Sequence, residues 1–217
     1  ATSNRPSKAF FDAAEWAIGH VKLRVKEDVR LRYTRREKGD SLVPKLELMT
    51  DASFATTIKS RSMGGWLLFV GGELVDWHSG LTSIVCLSTT GSEANAFADG
   101  CRAGLFYMQL LGEIGISLAP MDIAVDNMAL FHAANGGQLK GLRHVSWKIL
   151  HGRDLVKKGL LNVSHISTDV QLADVMSKGM RKIGQFQFLR GCFMCVMNKV
   201  TVKGYEMTVS DNDDEDD

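Results

Sequence analysis

Apolar and polar positions alternate along several short stretches of this chain, and each such stretch predicts a β-strand. The first stretch in the central region is KLELMTDA, from residue 45. Residues 62–79, SMGGWLLFVGGELVDWHS, predict two strands joined at Gly71-Gly72, because paired glycines favour a tight hairpin turn. MDIAVDN (121–127) and LLNVSHIS (160–167) predict two more buried strands. The central region therefore contains five candidate strands.

Apolar residues recur every three or four positions between these strands, which predicts helices. The longest covers residues 91–115 and stops at Gly115, and shorter ones cover 128–135 and 142–159. Another is predicted over 168–180, where Thr168 and Gln171 have the spacing of a capping box. TSIVCLS (82–88) either closes the strand meander or leads into the long helix. The order β-β-β-α-β-α-α-β-α predicts an α/β fold: a mixed five-stranded sheet, antiparallel meander first and parallel strands after it, flanked by helices.

The pattern divides the chain into four parts. Residues 1–44 form an N-terminal appendage, with a predicted amphipathic helix over 8–24, capped by Ser7, and a strand over 27–35. Residues 45–180 form the main domain. Residues 181–210 are a C-terminal extension whose run FLRGCFMCVMNKV is apolar enough for a buried helix or strand. Residues 211–217, DNDDEDD, are an acidic tail that we expect to be disordered.

Charge is unevenly distributed along the chain. The net charge is +1, but six acidic residues lie in the tail, so residues 1–210 carry +7. A basic body is typical of proteins that bind polyanions, although many other proteins share this bias. No run approaches the roughly 18 apolar residues of a membrane span, and the first residues lack a secretion signal, so we expect no membrane partner. The chain lacks an initiator Met, which suggests a piece of a longer polypeptide.

Four cysteines without a disulfide framework favour a reducing compartment. Only Cys192 and Cys195 form a close pair, and no second Cys or His pair lies near them, so two apolar thiols are favoured over a zinc site.

Asp51 lies in the middle of the first central strand, where an ionised carboxylate is costly to bury unless it is paired or binds a metal. Three other acids occupy comparable places: Glu93 in the first turn of the long helix, Asp126 at the end of a buried strand, and Asp174 in the last helix. Sites in open α/β sheets form where strands end and helices begin. If the four acids converge, divalent cations would have to neutralise them.

Each acid also has a plain structural explanation. Asp51 could end a strand, Glu93 could favour a helix N-terminus, Asp126 could cap a helix, and Asp174 could lie on a helix surface. The case for a shared site depends on the order Asp, Glu, Asp, Asp on these elements.

From about Arg5 to about Met180 the chain resembles the ribonuclease H domain of copia-type (Pseudoviridae) LTR retrotransposon polyproteins. The resemblance is carried by five stretches in order: RPSKAFFDAAEWAIGHVK; TDAS with the hairpin RSMGGWLLFVGGELVDWHS; CLSTTGSEANAFADG; VDNMAL; and HISTDVQLADVMSKGM. Some positions depart from the family. Gly91 stands where the family has an earlier glutamate, Ala94 where it has an aromatic residue, and Ser53 where it has a second aspartate. Lys178 is followed by Gly179 in place of the usual proline.

The resemblance implies a ribonuclease H-like fold and hydrolysis of the RNA strand of RNA–DNA hybrids during reverse transcription, with two Mg²⁺ ions, or Mn²⁺ in their place. Its metal-binding acids fall on Asp51, Glu93, Asp126 and Asp174. Asp51 would be shared by both ions, with Glu93 and Asp126 nearer the leaving group and Asp174 nearer the nucleophile. Of the family's two glutamates we take the later, Glu93, as the ligand; if the earlier one were needed, Gly91 would impair the domain.

Further residues are candidates for substrate contacts. Asn127 could hydrogen-bond the nucleic-acid backbone, or it could cap a helix. Arg143, His144 and Lys148 lie on the predicted basic helix with Arg153; a phosphate-binding face and a solvated face are equally consistent with them. Trp66, Trp77 and Trp147 are assigned to the core. His165 is the nearest candidate for a mobile-loop histidine, but it is better explained as the end of a strand.

The implied partners are the RNA–DNA hybrid and the rest of the reverse transcriptase polyprotein. The implied location is a cytoplasmic virus-like particle or the nucleus. The alternative function is a catalytically inactive ribonuclease H-like module, of a degenerate or host-recruited element, that binds nucleic acid or serves a structural role. The departures at Gly91 and Ala94 and the missing mobile-loop histidine favour that alternative, and retention of all four acids opposes it. A second alternative is a transposase or integrase of the same fold, but that class has the glutamate last, and here the last acid is Asp174.

Overall fold

A computed structural model describes residues 43–55, 60–139, 145–180 and 183–192, the strand pair at 201–202 and 205–206, and the isolated residues Lys8, Glu15, Ile18, Lys22 and Leu31. Within the predicted first helix, the four described residues are helical and exposed. The rest of that helix, its Ser7 cap, the predicted strand over 27–35 apart from Leu31, Cys195 and the acidic tail lie outside the described residues.

A mixed five-stranded sheet organises the central region. Its strands are β1 (Leu46–Ser53), β2 (Met63–Val70), β3 (Glu73–Leu81), β4 (Met121–Val125) and β5 (Leu161–His165). The spatial order is β3-β2-β1-β4-β5. β1 pairs antiparallel with β2 and parallel with β4, while β4 pairs parallel with β5. The predicted fold, an antiparallel meander followed by parallel strands, is confirmed.

Helices connect and follow these strands. They are α1 (Thr89–Glu113), α2 (Met128–Ala134), α3 (Ser146–Lys157), a 3-10 turn (Thr168–Val170), α4 (Asp174–Ser177) and α5 (Ile183–Gly191). A separate two-stranded ribbon joins β6 (Thr201–Val202) to β7 (Tyr205–Glu206). No helix in the described part of the chain combines the length and the apolar character that crossing a membrane requires.

Local signals explain most of the element boundaries. Gly71 and Gly72 both have positive φ, 63° and 89°, which is why this glycine pair makes the β2–β3 turn. Gly115, at φ 83°, follows α1 and stops it as predicted. Residues 82–88 form no strand and lead from β3 to α1. Ser88 caps α1 by accepting a hydrogen bond from the Gly91 amide, so this helix begins two residues earlier than predicted.

The prediction of one helix over residues 168–180 is wrong. Gln171 does not complete a capping box, because its side chain is fully buried and turned toward the sheet. Its amide nitrogen donates to the Thr50 carbonyl at 3.1 Å, and its amide oxygen accepts from the Ala173 amide at 3.2 Å. The long-range bond to Thr50 and the local bond from Ala173 split the segment into the 3-10 turn and the short helix α4.

The sheet separates two apolar clusters. On one face α1 and α3 cover a large core that includes Leu48, Phe97, Ile123 and Ile149, all fully buried. The other cluster is small: Leu67, Phe69 and Leu74, with Leu31, Leu172 and Met176 packed against it. Trp66 joins the large core as predicted. Trp77 and Trp147 are 50% and 66% exposed, so their assignment to the core is wrong.

The extension after residue 180 begins with α5, in which Phe188 and Leu189 are buried. Only the first residues of the apolar run, 188–191, lie in this helix, and residues 193–200 lie outside the described residues. The division of the chain into four parts stays a prediction.

Candidate metal centre

Three of the four predicted acids converge at one place in the sheet. Asp51, Glu93 and Asp126 each offer a carboxylate oxygen, and these oxygens all lie within 4.8 Å of one another. Asp51 and Glu93 are buried, with 2% and 8% of their surfaces exposed, and Asp126 is half-buried. Residues separated by 33 or more positions in the chain thus meet in one small volume. Packing of this kind is costly for ionised carboxylates unless a cation neutralises them.

The sheet topology brings these acids together. Asp51 lies near the end of β1, and Asp126 directly follows β4, the parallel neighbour of β1. Glu93 comes from the second turn of α1 and not from the first, because the helix begins at Thr89. Its predicted alternative role as an acid at the helix N-terminus is therefore wrong. Asp126 does not cap α2 either, since Asn127 does so.

Asp174, the fourth acid, is not one of these three but lies close to Asp51. The residue is 4% exposed, and it is joined to Asp51 by the Lys178 ammonium, 2.8 Å from Asp174 Oδ1 and 3.4 Å from Asp51 Oδ2. The Ser177 hydroxyl also donates to Asp51 Oδ2. The expectation that Asp174 lies on a helix surface is wrong, because this residue is buried beside Asp51.

A glycine in β2 allows α4 to approach so closely. Gly65 is the register partner of Asp51, and a Cβ added to Gly65 would lie 2.4 Å from the Met176 Cβ. Any larger residue at this position would push α4, and with it Asp174, away from the sheet. The Ser53 hydroxyl, which donates to the Ser177 carbonyl at 2.7 Å, holds the same turn from the neighbouring register position.

The pKa values report the electrostatic cost of the cluster. Burial, together with the charges of Asp126 and Asp51, raises the pKa of Glu93 to about 8, although a hydrogen bond from Asn127 opposes the shift. Burial raises the pKa of Asp174 to about 6, although its hydrogen bond with Lys178 opposes the shift. Burial alone would lower the pKa of Lys178, but the hydrogen bond to Asp174 and the charge of Asp51 raise it. The centre is therefore short of positive charge.

The donor set suits a hard divalent cation. It consists of carboxylate oxygens, which Mg²⁺ and Mn²⁺ prefer, and it contains no thiolate or imidazole among the three converging ligands. An ammonium group already lies between two of the carboxylates, so a cation is compatible with the geometry. The three converging carboxylates of Asp51, Glu93 and Asp126 therefore fit one divalent cation of this kind.

The residues predicted to contact substrate have different surroundings in the structure. Asn127 caps α2 by accepting from the Leu130 amide at 2.9 Å, while its hydrogen bond to Glu93 lowers the pKa of that acid. Lys148 is half-buried beside the Trp147 ring, and its charged neighbours include Asp99 and Arg102 on α1. Arg143 and His144 lie outside the described residues.

Arg153 and His165 have structural partners. Arg153 donates to the carbonyls of Ala133 and Gly137, so it holds the end of α2. His165 ends β5, as its preferred interpretation predicted, with Nε2 3.1 Å from the Asp126 carbonyl oxygen.

Sequence reasoning missed several residues around the acids. Thr168 donates to Asp126 Oδ2 at 2.9 Å, and Ser177 donates to Asp51. Neither contact has a local signal in the sequence. Lys178 does have one: it follows Asp174 by four positions, the spacing of an intrahelical ion pair.

The sheet order and the site together define a protein with a ribonuclease H-like fold and a cluster of acidic residues. No family profile matches the chain. Among solved structures it is similar to ribonuclease H1 from the archaeon Halobacterium salinarum, at 16% identity and a TM-score of 0.46, covering 61% of this chain and 94% of that one.

Two retrovirus-related Pol polyproteins of plants are similar to the chain in sequence. The chain is 30% identical over 157 residues to the retrovirus-related Pol polyprotein from transposon RE2 of Arabidopsis thaliana, covering 71% of this chain and 11% of that protein. It is 27% identical over 180 residues to the corresponding polyprotein from transposon TNT 1-94 of Nicotiana tabacum, covering 80% of this chain and 13% of that one. The chain is therefore related to the Pol polyproteins of plant copia-type retrotransposons, as its motifs indicated, and spans about a tenth of their length.

Proposed function

We propose that the chain is a ribonuclease H domain that hydrolyses the RNA strand of RNA–DNA hybrids with two divalent cations, Mg²⁺ or Mn²⁺. The observation that carries the proposal is the convergence of Asp51, Glu93 and Asp126 within 4.8 Å. Their order in the chain and their places in the fold correspond to those of the acids implied by the family resemblance. The relatives, which are Pol polyproteins, support a role in reverse transcription.

Each acid has a role in this proposal. Asp51 contributes to both cation positions, because it converges with Glu93 and Asp126 and shares the Lys178 ammonium with Asp174. Asn127 orients Glu93, and Thr168 orients Asp126. The cations, when bound, would lower the pKa of a water molecule and neutralise charge that develops on the phosphodiester. The partners we propose are the hybrid substrate and the remainder of a Pol polyprotein, acting in a cytoplasmic particle or in the nucleus.

Cleavage of a labelled RNA–DNA hybrid, with Mg²⁺ or with Mn²⁺, tests the proposal. We expect the full chain to cleave the RNA strand and Asp126→Asn to lose at least about a hundredfold in rate, the size of effect that loss of one preorganised transition-state contact has in other enzymes. Asp122→Asn is the matched control. Asp122 lies at the start of the same strand and pairs with Lys45 at 2.7 Å, away from the cluster.

Two results would contradict the proposal. Equal cleavage by the unmodified chain and Asp126→Asn would mean that the acidic cluster is not the active site. Hybrid binding without cleavage, with either metal, would instead support the inactive binding module that Gly91 and Ala94 favour.

A further inference from the structure

The Lys178 side chain lies between Asp51 and Asp174, where the second cation of the proposed centre would bind. Its ammonium nitrogen lies 2.8 Å from Asp174 Oδ1 and 3.4 Å from Asp51 Oδ2. A Mg²⁺ ion binds carboxylate oxygens at about 2.0–2.1 Å, so an ion that shared these two oxygens would overlap the volume of the ammonium group. The second cation and the Lys178 side chain therefore cannot hold this pair of carboxylates at the same time.

The backbone of Lys178 is fixed while its side chain has room to move. Its amide donates to the Asp174 carbonyl at 3.0 Å at the end of α4, which anchors the residue. The side chain is 36% exposed, in contrast to the 2% and 6% of its two partner side chains, Asp51 and Asp174. The ammonium group can consequently exchange the carboxylates for water without unfolding of the turn.

The first cation position, at Asp51, Glu93 and Asp126, differs from the second in its neighbouring charges. Both salt bridges that Lys178 makes within the described part of the chain go to Asp51 and Asp174. Glu93 and Asp126 form no salt bridge with a described residue, although the charge of Lys178 slightly lowers the pKa of Glu93. One cation position is therefore open to an incoming ion, and the other is already neutralised by a residue of the chain.

We propose that Lys178 acts as a built-in competitor for the second cation, so that the two ions bind in sequence with unequal affinity. This inference rests on the proposed function. The first ion binds at Asp51, Glu93 and Asp126, and the second binds between Asp51 and Asp174 only when the Lys178 side chain moves to solvent. Lys178 thereby sets the concentration of free divalent cation at which the two-ion state forms.

Calorimetric titration of the full chain with Mn²⁺ tests the inference without measuring activity. We expect the unmodified chain to bind one ion tightly and one weakly. Lys178→Met removes the competing charge and should tighten the weak site by about tenfold, because the ion no longer has to displace an ammonium group that attracts Asp174 at contact distance in water. Lys158→Met is the matched control, since Lys158 pairs with Asp154 at 2.6 Å with the same four-residue spacing, on α3.

A second variant protects the test against misfolding. Lys178→Gln keeps a hydrogen-bond donor for Asp174 but no charge, and it should show the same tightening. Circular dichroism establishes that each variant is folded. Thermal denaturation adds a second measurement: both Lys178 variants should gain more in Tm from a fixed Mn²⁺ concentration than the unmodified chain or Lys158→Met.

The outcomes separate this inference from the proposed function. If Asp126→Asn abolishes the tight site but neither Lys178 variant changes the weak one, the Lys178 inference is wrong and the proposed metal centre stands. If the unmodified chain and both Lys178 variants bind no Mn²⁺ at millimolar concentration, both are wrong. Weaker second-ion binding in the folded Lys178 variants would also overturn the inference, because it would make Lys178 a supporting residue and not a competitor.

Discussion

The two faces of the sheet are stabilised in different ways. The face under α1 and α3 is covered by aliphatic and aromatic side chains such as Leu48, Phe97 and Ile149, whose burial is the main stabilising contribution there. The opposite face, beside Asp51, is covered by the short turn of α4, which is held by hydrogen bonds from Gln171, Ser53 and Ser177. The apolar face supplies stability, and the polar face supplies the position of the acids. Substitutions on the two faces should therefore affect different properties.

The largest expected loss of stability is on the apolar face. Phe97 is fully buried and lies against Gly152 of α3, where a Cβ would come within 2.4 Å of the phenyl ring. Phe97→Ala should lower the free energy of unfolding by about 3–5 kcal/mol, because it removes a large apolar side chain and leaves a cavity. Urea denaturation measures this loss. Phe106→Ala, at a position on the same helix that is 61% exposed, should change it by no more than about 0.5 kcal/mol; a similar loss in both variants would contradict the assignment of the core.

The second largest loss of stability is expected at Gly65, the residue whose small size lets α4 pack beside the acids. Gly65→Ala should cost about 1–3 kcal/mol through overpacking against Met176 and should also reduce hybrid cleavage, because α4 and Asp174 must shift. Gly64→Ala is the control, since a Cβ there would meet the Ala96 Cβ at an ordinary 3.6 Å. Denaturation and cleavage assays on both variants measure the two effects. If Gly64→Ala were the more damaging change, the described packing of α4 would be wrong.

Gln171 tests the hydrogen bonds of the polar face directly. Gln171→Leu should cost about 1–3 kcal/mol, since it leaves the Thr50 carbonyl without its side-chain donor in a buried place. Gln109→Leu changes the same residue type at an exposed position on α1, where Gln109 bonds Glu113. Chemical denaturation should show no more than about 0.5 kcal/mol of change in that control. Equal stability of the two variants would show that the Gln171 bonds contribute nothing to the fold.

The smallest of the four effects is at the start of α1. Ser88→Ala removes the side-chain oxygen that accepts from the Gly91 amide and should cost about 1 kcal/mol. Ser88→Asp, which retains a capping oxygen, should restore the midpoint of thermal denaturation. A loss of the same size in both variants would mean that Ser88 contributes through packing and not through the cap.

The sequence predicted the apolar face better than the polar one. Periodicity alone indicated the five strands, the long helix and its stop at Gly115, because burial against one face leaves a repeating pattern. It could not indicate the break at Gln171, which results from a hydrogen bond to Thr50 across 121 positions of the chain. For the acids, the pattern identified each residue, but their convergence followed from family resemblance, since no local signal places Glu93 beside Asp126. The exposed positions of Trp77 and Trp147 were missed for the same reason: an aromatic residue alone does not reveal which side of its element is buried.

The hydrogen bond from Ser177 to Asp51 joins residues 126 positions apart and has a consequence for synthesis of the chain. All five strands of the sheet are complete by His165, before Asp174 has been translated. A polypeptide terminated by a stop codon between these two residues would contain all five strands of the main sheet and yet lack the fourth carboxylate and the lysine beside it. A late truncation would therefore remove half of the metal centre while leaving the strands intact.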